Sequence, residues 1–546
     1  MLTPTVTQFL TEISNILSSR DASKLCSYLV IEPPYAPIYE TLRSEVRSSF
    51  NSQDGTSAQR LESTCLDKLN SVLTDPEGYA PTWTAFNKFM AQYFIFLRDV
   101  DVSNLLTTYE LLSELLQKAN SALTHSTSGV LLLPTVISYS RMLSRLAIGL
   151  DKQPHLIAHL RPTSSDDGSA RETLPERAAN TLRQAFVTCL NDRSGSSASG
   201  LDAAGQPEGK KRGIYTIANL CLKILFQCRK IRGAAQIFEN IYNQSPPLRA
   251  FGKAERITYL YYLGRWSWAN GHFYRAQKAL QGAWNECHAR CGRQSRLIAI
   301  YLVAANLVCG RFPRREILDR CEGLQERFEP VCLAIRRGDL VGFRRLLGPE
   351  SPHYGFFARY RIDLQIRNRC EVFVWRSMVR KCFLICGDPG APENRKAPTL
   401  DLNMLLAAWR WQERSYLLQT TGGNGSSNTY VDPDFEGAEG TDLSIDDSVE
   451  MFDMTEVISR MTSLIHQDLV NGFLAHKSQK LAIQGARQKG AVAGGFPSIW
   501  KIISSRSSEE VPGWKLEMKT GGALGRGGFG PGQVVNLSGA RPVGVS

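Results

Sequence analysis

The stretch YYLGRWSWANGHFYRAQKALQGAWNECH, residues 261–288, decides the fold. Two apolar-periodic segments, 253–269 and 273–289, meet at Asn270–Gly271, a dipeptide that stops one helix and lets the next begin. The same alternation runs outward from Ile214 to Leu347. Helical segments are expected at 214–229, 231–243, 253–269, 273–289, 294–309, 314–326, 328–336 and 339–347, with further turn marks at Pro246–Pro247, Gly310 with Pro313, and Gly338–Asp339. Helices paired this way are α-hairpins. No hairpin buries its apolar face alone, so hairpins stack into a solenoid. The segment lengths carry this expectation; the repeats share no strong identity.

Upstream, residues 1–160 also read as helical. In 103–123 the apolar residues Leu105, Tyr109, Leu112, Leu115 and Leu116 recur at three and four. Segments 82–100 and 131–150 behave alike, and Pro33–Pro34 and Pro37 break the first helical region. Residues 161–213 read as flexible polar insertions, 161–176 and 192–213, around one helix, PERAANTLRQAFVTCL, with Pro175 at its first position. Downstream, helices are expected at 354–367 and 369–386, the second ended by Gly387–Asp388–Pro389–Gly390, then a short helix at 399–412. Residues 413–450 read as a disordered acidic insertion. A helix then opens 453–484, and after Asn471–Gly472 the period shortens. Phe473, Leu474, Leu481 and Ile483 suit two strands about His476–Lys477–Ser478, the order of a winged helix. The expected organisation is therefore a helical region (1–160), the insertions (161–213), helical repeats (214–390), a winged helix (391–503) and a flexible Gly-rich tail (504–546). The fold class is mainly α, a TPR- or HEAT-like helical-hairpin solenoid capped by a winged helix.

Composition fits a folded protein: 43% of the 546 residues are hydrophobic and 21% charged. The net charge of +12 is unevenly placed. Residues 210–381 carry 32 Lys and Arg against 12 Asp and Glu, and the remainder 32 against 40. A basic middle points to a polyanion or an acidic protein, the alternative being an Arg-rich solvated surface. The 13 cysteines contain no CxxC pair, as expected of a reduced intracellular chain. Cys287, His288 and Cys291 make an incomplete metal set, so a place in the core is the better reading for the cysteines. No signal peptide is visible. The most apolar run, 297–309, is shorter than the ~20 residues a membrane span needs, so no membrane partner is expected. Lys210–Lys211–Arg212 is only a short basic cluster. The absence of GxxxxGK[ST], HExxH and GxSxG argues against an enzyme, and no cofactor is expected.

The runs 261–288, RLIAIYLVAANLVCGRFPRREIL (296–318) and AIRRGDLVGFRRLL (334–347) resemble the PCI domain. VFVWRSMVRKCFLI (372–385) and the 453–484 block continue the likeness in order. Within that family the chain is most similar to the nuclear mRNA-export branch, with signalosome-associated subunit-twelve proteins as near relatives. Two departures stand out: the insertion at 413–450 and the Gly-rich segment 485–497 after the wing. The resemblance implies a non-catalytic scaffold in the nucleus, at nuclear pores and partly cytoplasmic. It implies a larger PCI partner met through winged helices, a small acidic disordered peptide of the proteasome-lid type, and RNA or DNA. The alternative is a scaffold of a signalosome- or lid-type complex that binds only proteins.

For a phosphate backbone, the candidate residues are Lys477 and Lys480 in the wing, Arg487 and Lys489 just after it, and Arg376, Arg380 and Lys381 on the helix before it. Arg376 and Arg380 are four apart and so share a helix face. An export subunit should keep a continuous basic stripe across these positions. Phe473, Leu474 and Ile483 suit either the core or edge-strand contacts, with the core the better reading. Tyr259, Tyr261, Tyr262, Trp266 and Trp268 have the spacing of residues packed between hairpins, not of a base-stacking platform. RGGFGPG in the tail is a single, weak likeness to an RNA-binding tract.

Overall fold

Gly271 takes a left-handed conformation (φ +79°) that a side chain would resist, and it ends the helix that Ala269 closes. The computed structural model describes residues 4–51, 54–74, 82–153, 155, 173–195, 200–390, 396–421 and 452–506, with 415–421 as backbone alone. In chain order the first helices are α1 (Pro4–Ser18), α2 (Ala22–Tyr28), α3 (Pro37–Ser49), α4 (Ser57–Leu73), α5 (Thr84–Asp99), α6 (Leu105–Leu123), α7 (Leu133–Asp151) and α8 (Leu174–Leu190). The repeats continue with α9 (Ile214–Gln227), α10 (Ala235–Gln244), α11 (Lys253–Ala269), α12 (Phe273–Glu286), α13 (Gly292–Val308), α14 (Arg315–Asp319), α15 (Gln325–Arg337), α16 (Leu340–Leu346), α17 (Tyr354–Tyr360) and α18 (Asp363–Cys386). Helices pack largely on their neighbours in sequence, α4 on α5 on α6 on α7 and α11 on α12 on α13, which makes a helical solenoid.

One apolar core runs from Val6 to Phe496. Tyrosines stitch it to the backbone: the Tyr93 hydroxyl donates to Val30 O (2.9 Å) and that of Tyr139 to Leu29 O (3.1 Å). α13 is buried on nearly every side from Ile298 to Val308, as an all-apolar helix must be. The five α11 aromatics pack between hairpins as expected. Tyr259 and Trp268 are buried, Phe238 meets Tyr259 and Trp266, and Arg265 lies over Tyr261 and Tyr301.

Several expectations need correction. Residues 200–213 are not loose chain: Lys210 is 3% exposed, and its ammonium lies 3.6 Å from the equally buried Asp192 carboxylate. Asp192 also accepts from the Lys210 amide and the Ser194 hydroxyl, so the polar composition of this segment folds into its own network. The helix expected at 314–326 is only Arg315–Asp319; residues 320–324 form turns, and α15 begins at Gln325 and runs through the helix expected at 328–336. The helices expected at 354–367 and 369–386 meet elsewhere, because Arg361 turns left-handed (φ +54°) and starts the 24-residue α18 early. Cys291 and Cys386 are exposed and Cys287 half-buried, so these three are not core residues. No group of three or more metal-ligating residues occurs among the described residues, nor a helix long and apolar enough to cross a membrane.

The C-terminal unit is β1 (Thr399–Asp401), α19 (Leu402–Thr421), α20 (Met454–His466), β2 (Gly472–Ala475) and β3 (Lys480–Ile483). Its antiparallel sheet has the order β1-β3-β2, with Leu400 and Leu474 both opposite Leu481. This is the expected winged helix. The expected helix at 399–412 is instead strand followed by helix, and the helix continues through 413–421, the start of the presumed insertion. The rest of that insertion, residues 161–172 and the tail from 507 lie outside the described residues. After β3, α21 (Ala486–Lys489) and α22 (Ala491–Gly495) fold back on the sheet. The amide of Asn471 donates to Gly495 O and its side chain to Gly494 O (both 2.9 Å). The last helix, α23 (Ile499–Arg506), then returns to the solenoid.

Candidate interaction surface of the winged helix

Three joints illustrate how the winged helix, which packs on α16 and α18, is held to the solenoid. Gln412 on α19 donates to Gly338 O (3.0 Å) and accepts from the Leu340 amide (3.4 Å), gripping the turn between α15 and α16. Ile499 on α23 fills the space where a Gly310 side chain would stand, and Trp500 lies under the Arg311 guanidinium at 4.6 Å and beside Tyr274. The third joint is Arg376 on α18. Its Nε donates to Leu469 O (3.0 Å) and its Nη2 to Pro497 O (2.7 Å), with the Phe496 ring 5.8 Å away. Burial, and after it the charge of Arg380, pushes its pKa down to about 10, so it stays charged at neutral pH.

Arg376 is therefore a joint between α18 and the winged helix, and its place among the nucleic-acid candidates is withdrawn. It does not share a free face with Arg380, because its guanidinium is turned toward backbone carbonyls. Arg380 is exposed and Lys381 half-buried. Lys477, Lys480, Arg487 and Lys489 are all exposed. None of these six has an ion-pair partner among the described residues. The β2–β3 turn and α21 thus carry four cations on one unit. Arg380 and Lys381 lie on α18, which packs against β1 at the opposite edge of the sheet from β2.

The expected continuous stripe is interrupted by acids. Lys480 lies opposite Asp401 in the β1–β3 register. Asp388 pairs with Lys396 at 2.7 Å and accepts from the Gly390 amide (2.9 Å). The Lys396 bond foremost, then that amide, holds the Asp388 carboxyl below the usual range, with Lys480 adding to the effect. Lys396 was missed in sequence because the Lys396–Ala397–Pro398 stretch shows no periodicity.

Of the three residues expected in the core, Ile483 is buried and Leu474 packs against the core, but Phe473 is 51% exposed. The reason is topological. Among the described residues β2 has β3 on one side and no strand on the other, which makes it an edge strand carrying an exposed aromatic ring. Leu384 and Ile385 at the end of α18, 53% and 81% exposed, form a second apolar feature.

Comparison with known proteins agrees with this architecture. A PCI domain-containing protein of Schizosaccharomyces pombe is 25% identical over 481 residues, 87% of this chain and 92% of the relative. The chain is similar to PCI-domain proteins. Other relatives cover less: a CSN12 homolog of Gibberella zeae is 26% identical over 319 residues, 57% of this chain and 60% of the relative. PCI domain-containing protein 2 of Danio rerio is 25% identical over 308 residues, 56% and 62%. No family model matches the sequence. The relatives' names link the chain to PCI domain-containing proteins and to CSN12 homologs.

Proposed function

We propose that the chain is a non-catalytic scaffold of a nuclear, transcription-coupled mRNA-export complex. Its winged helix meets a larger PCI protein, its basic repeats receive a small acidic peptide, and its wing touches the backbone of RNA or DNA. The open β2 edge with Phe473 carries this reading. An unpaired strand offers a row of N–H and C=O groups to a second sheet, and Phe473 offers it about half a ring of apolar surface. The four cations at the β2–β3 turn and α21 lie on the same unit, so a partner strand and a phosphate backbone reach it together.

The test is affinity purification from nuclear extract with the wild type and Phe473→Asp. Recovery of a larger PCI protein with the wild type, and its loss with the variant, supports the reading. Unchanged recovery with Phe473→Asp refutes the edge. The second reading, a protein-only scaffold of a signalosome- or lid-type complex, draws on relatives named CSN12 homolog. It predicts recovery of such subunits and no crosslinking to RNA.

A further inference from the structure

Away from the winged helix, a cleft of about 730 Å³ opens where the end of α9 and the following turn meet α8 and the end of α11. Arg183, Arg229, Lys230 and Arg232 line it. Glu176 is the only acid lining it among the described residues, and Lys230 pairs with that carboxylate at 3.0 Å. Arg229 and Arg232 are exposed and have no ion-pair partner among the described residues. We propose that this cleft binds a compact cluster of phosphate groups, free or on a lipid headgroup, through Arg183, Arg229 and Arg232.

Two further observations point to a ligand. Arg183 donates to Asn180 Oδ1 (3.1 Å) and Gly233 O (3.4 Å), which fixes its guanidinium in the wall. Its Nε–H, cut off from solvent, has no acceptor among the described residues. A guanidinium already held in the cleft wall meets a ligand with little further loss of side-chain freedom. Arg229 takes a left-handed conformation (φ +62°), directly after the helix ends, with the Lys230 amide bonded to Leu225 O at 2.9 Å. Glycine is the residue that backbone prefers there, and an arginine is held at a cost of order 1 kcal/mol. Arg229 lines the cleft from this turn.

Ligand class follows from shape and charge. Guanidinium forks match phosphate oxygens in pairs, and three of them around one volume suit closely spaced double charges. An extended acidic chain spaces its carboxylates along a line of ~3.3 Å per residue and does not concentrate them here. The cleft volume is that of a small-molecule site.

The test titrates the full-length chain with sodium tripolyphosphate by calorimetry, comparing the wild type with Arg229→Gly/Arg232→Ser. Glycine at 229 relieves the backbone, so the variant unfolds no earlier than the wild type. Its affinity falls about tenfold or more, as expected for losing charge-assisted contacts. Lys118→Glu, at an exposed position of α6 outside the cleft, binds tripolyphosphate as the wild type does. Absence of saturable binding, an unchanged affinity in the 229/232 variant, or equal binding of decaglutamate at the same residues overturns the proposal. A parallel arm uses phosphatidylcholine vesicles containing phosphatidylinositol 4,5-bisphosphate. Vesicle binding displaced by tripolyphosphate assigns the phosphates to a lipid headgroup, and its absence assigns them to a soluble ligand.

Discussion

Replacing Arg376 with methionine should loosen the winged helix without touching the solenoid. Methionine keeps most of the stem's packing but removes two charge-assisted hydrogen bonds, to Leu469 O and Pro497 O. Each is worth roughly 1.5–3 kcal/mol. Part of that loss is offset, because burial disfavours the guanidinium's charge, and a pKa pushed down to about 10 corresponds to roughly 3 kcal/mol. The difference is a net loss of about 2 kcal/mol, or roughly a 30-fold rise in local opening. The assay is amide hydrogen exchange, read at Asn471 and Phe496, whose N–H groups bond to Gly495 O and Val492 O at the base of the wing. Both should exchange about 30-fold faster, while amides of α11 and α12 stay as they are. Because the folded value is depressed to about 10, folded and unfolded chains differ in bound protons only above about pH 9, so the effect is constant from pH 5 to 9. Unchanged protection in Arg376→Met, together with lost RNA crosslinking, would refute the structural role and restore the binding one.

Other outcomes are expected elsewhere in the fold. Lys210→Met leaves Asp192 buried and unpaired and should destabilise by about 3–5 kcal/mol, whereas Asp192→Asn/Lys210→Met recovers part of it; thermal unfolding compares the two. Gly310→Ala puts a side chain at φ +75° and into Ile499, costing about 1–2 kcal/mol and detaching α23, which hydrogen exchange of residues 499–506 reads directly. Maleimide at neutral pH should label exposed Cys291 and Cys386 first. Burial pushes Cys65, Cys189, Cys221, Cys309 and Cys332 up to about 12, so mass spectrometry should find these modified only after denaturation.

Local signals made much of the solenoid legible. α11 has the bounds 253–269 expected of it, since Gly252 and Asn270–Gly271 fence it on both sides. The wing hairpin was legible for the same reason: its turn and both strands lie within a dozen residues. What failed was long-range. β1 is three residues whose strand character comes from β3, about eighty positions later, and nothing in Thr399–Leu400–Asp401 announces it. Asp192 and Lys210 look like solvated charges until folding brings them together in a dry site. Arg376 read as a surface cation because its partners are backbone carbonyls 93 and 121 residues away, which carry no side-chain signature. Phe473 looked like core because an alternating strand pattern cannot tell a central strand from an edge one.

The most direct test of the proposed role is ultraviolet crosslinking of the full-length chain to RNA at several salt concentrations, comparing the wild type with Arg380→Glu/Lys477→Glu/Lys480→Glu. The account predicts strong crosslinking by the wild type, weakened by salt. In the variant it predicts a clear loss and a log–log salt slope shallower by about 0.7 for each phosphate contact removed. Equal crosslinking and equal salt slopes for the two proteins would contradict it and leave the winged helix as a protein-binding edge alone.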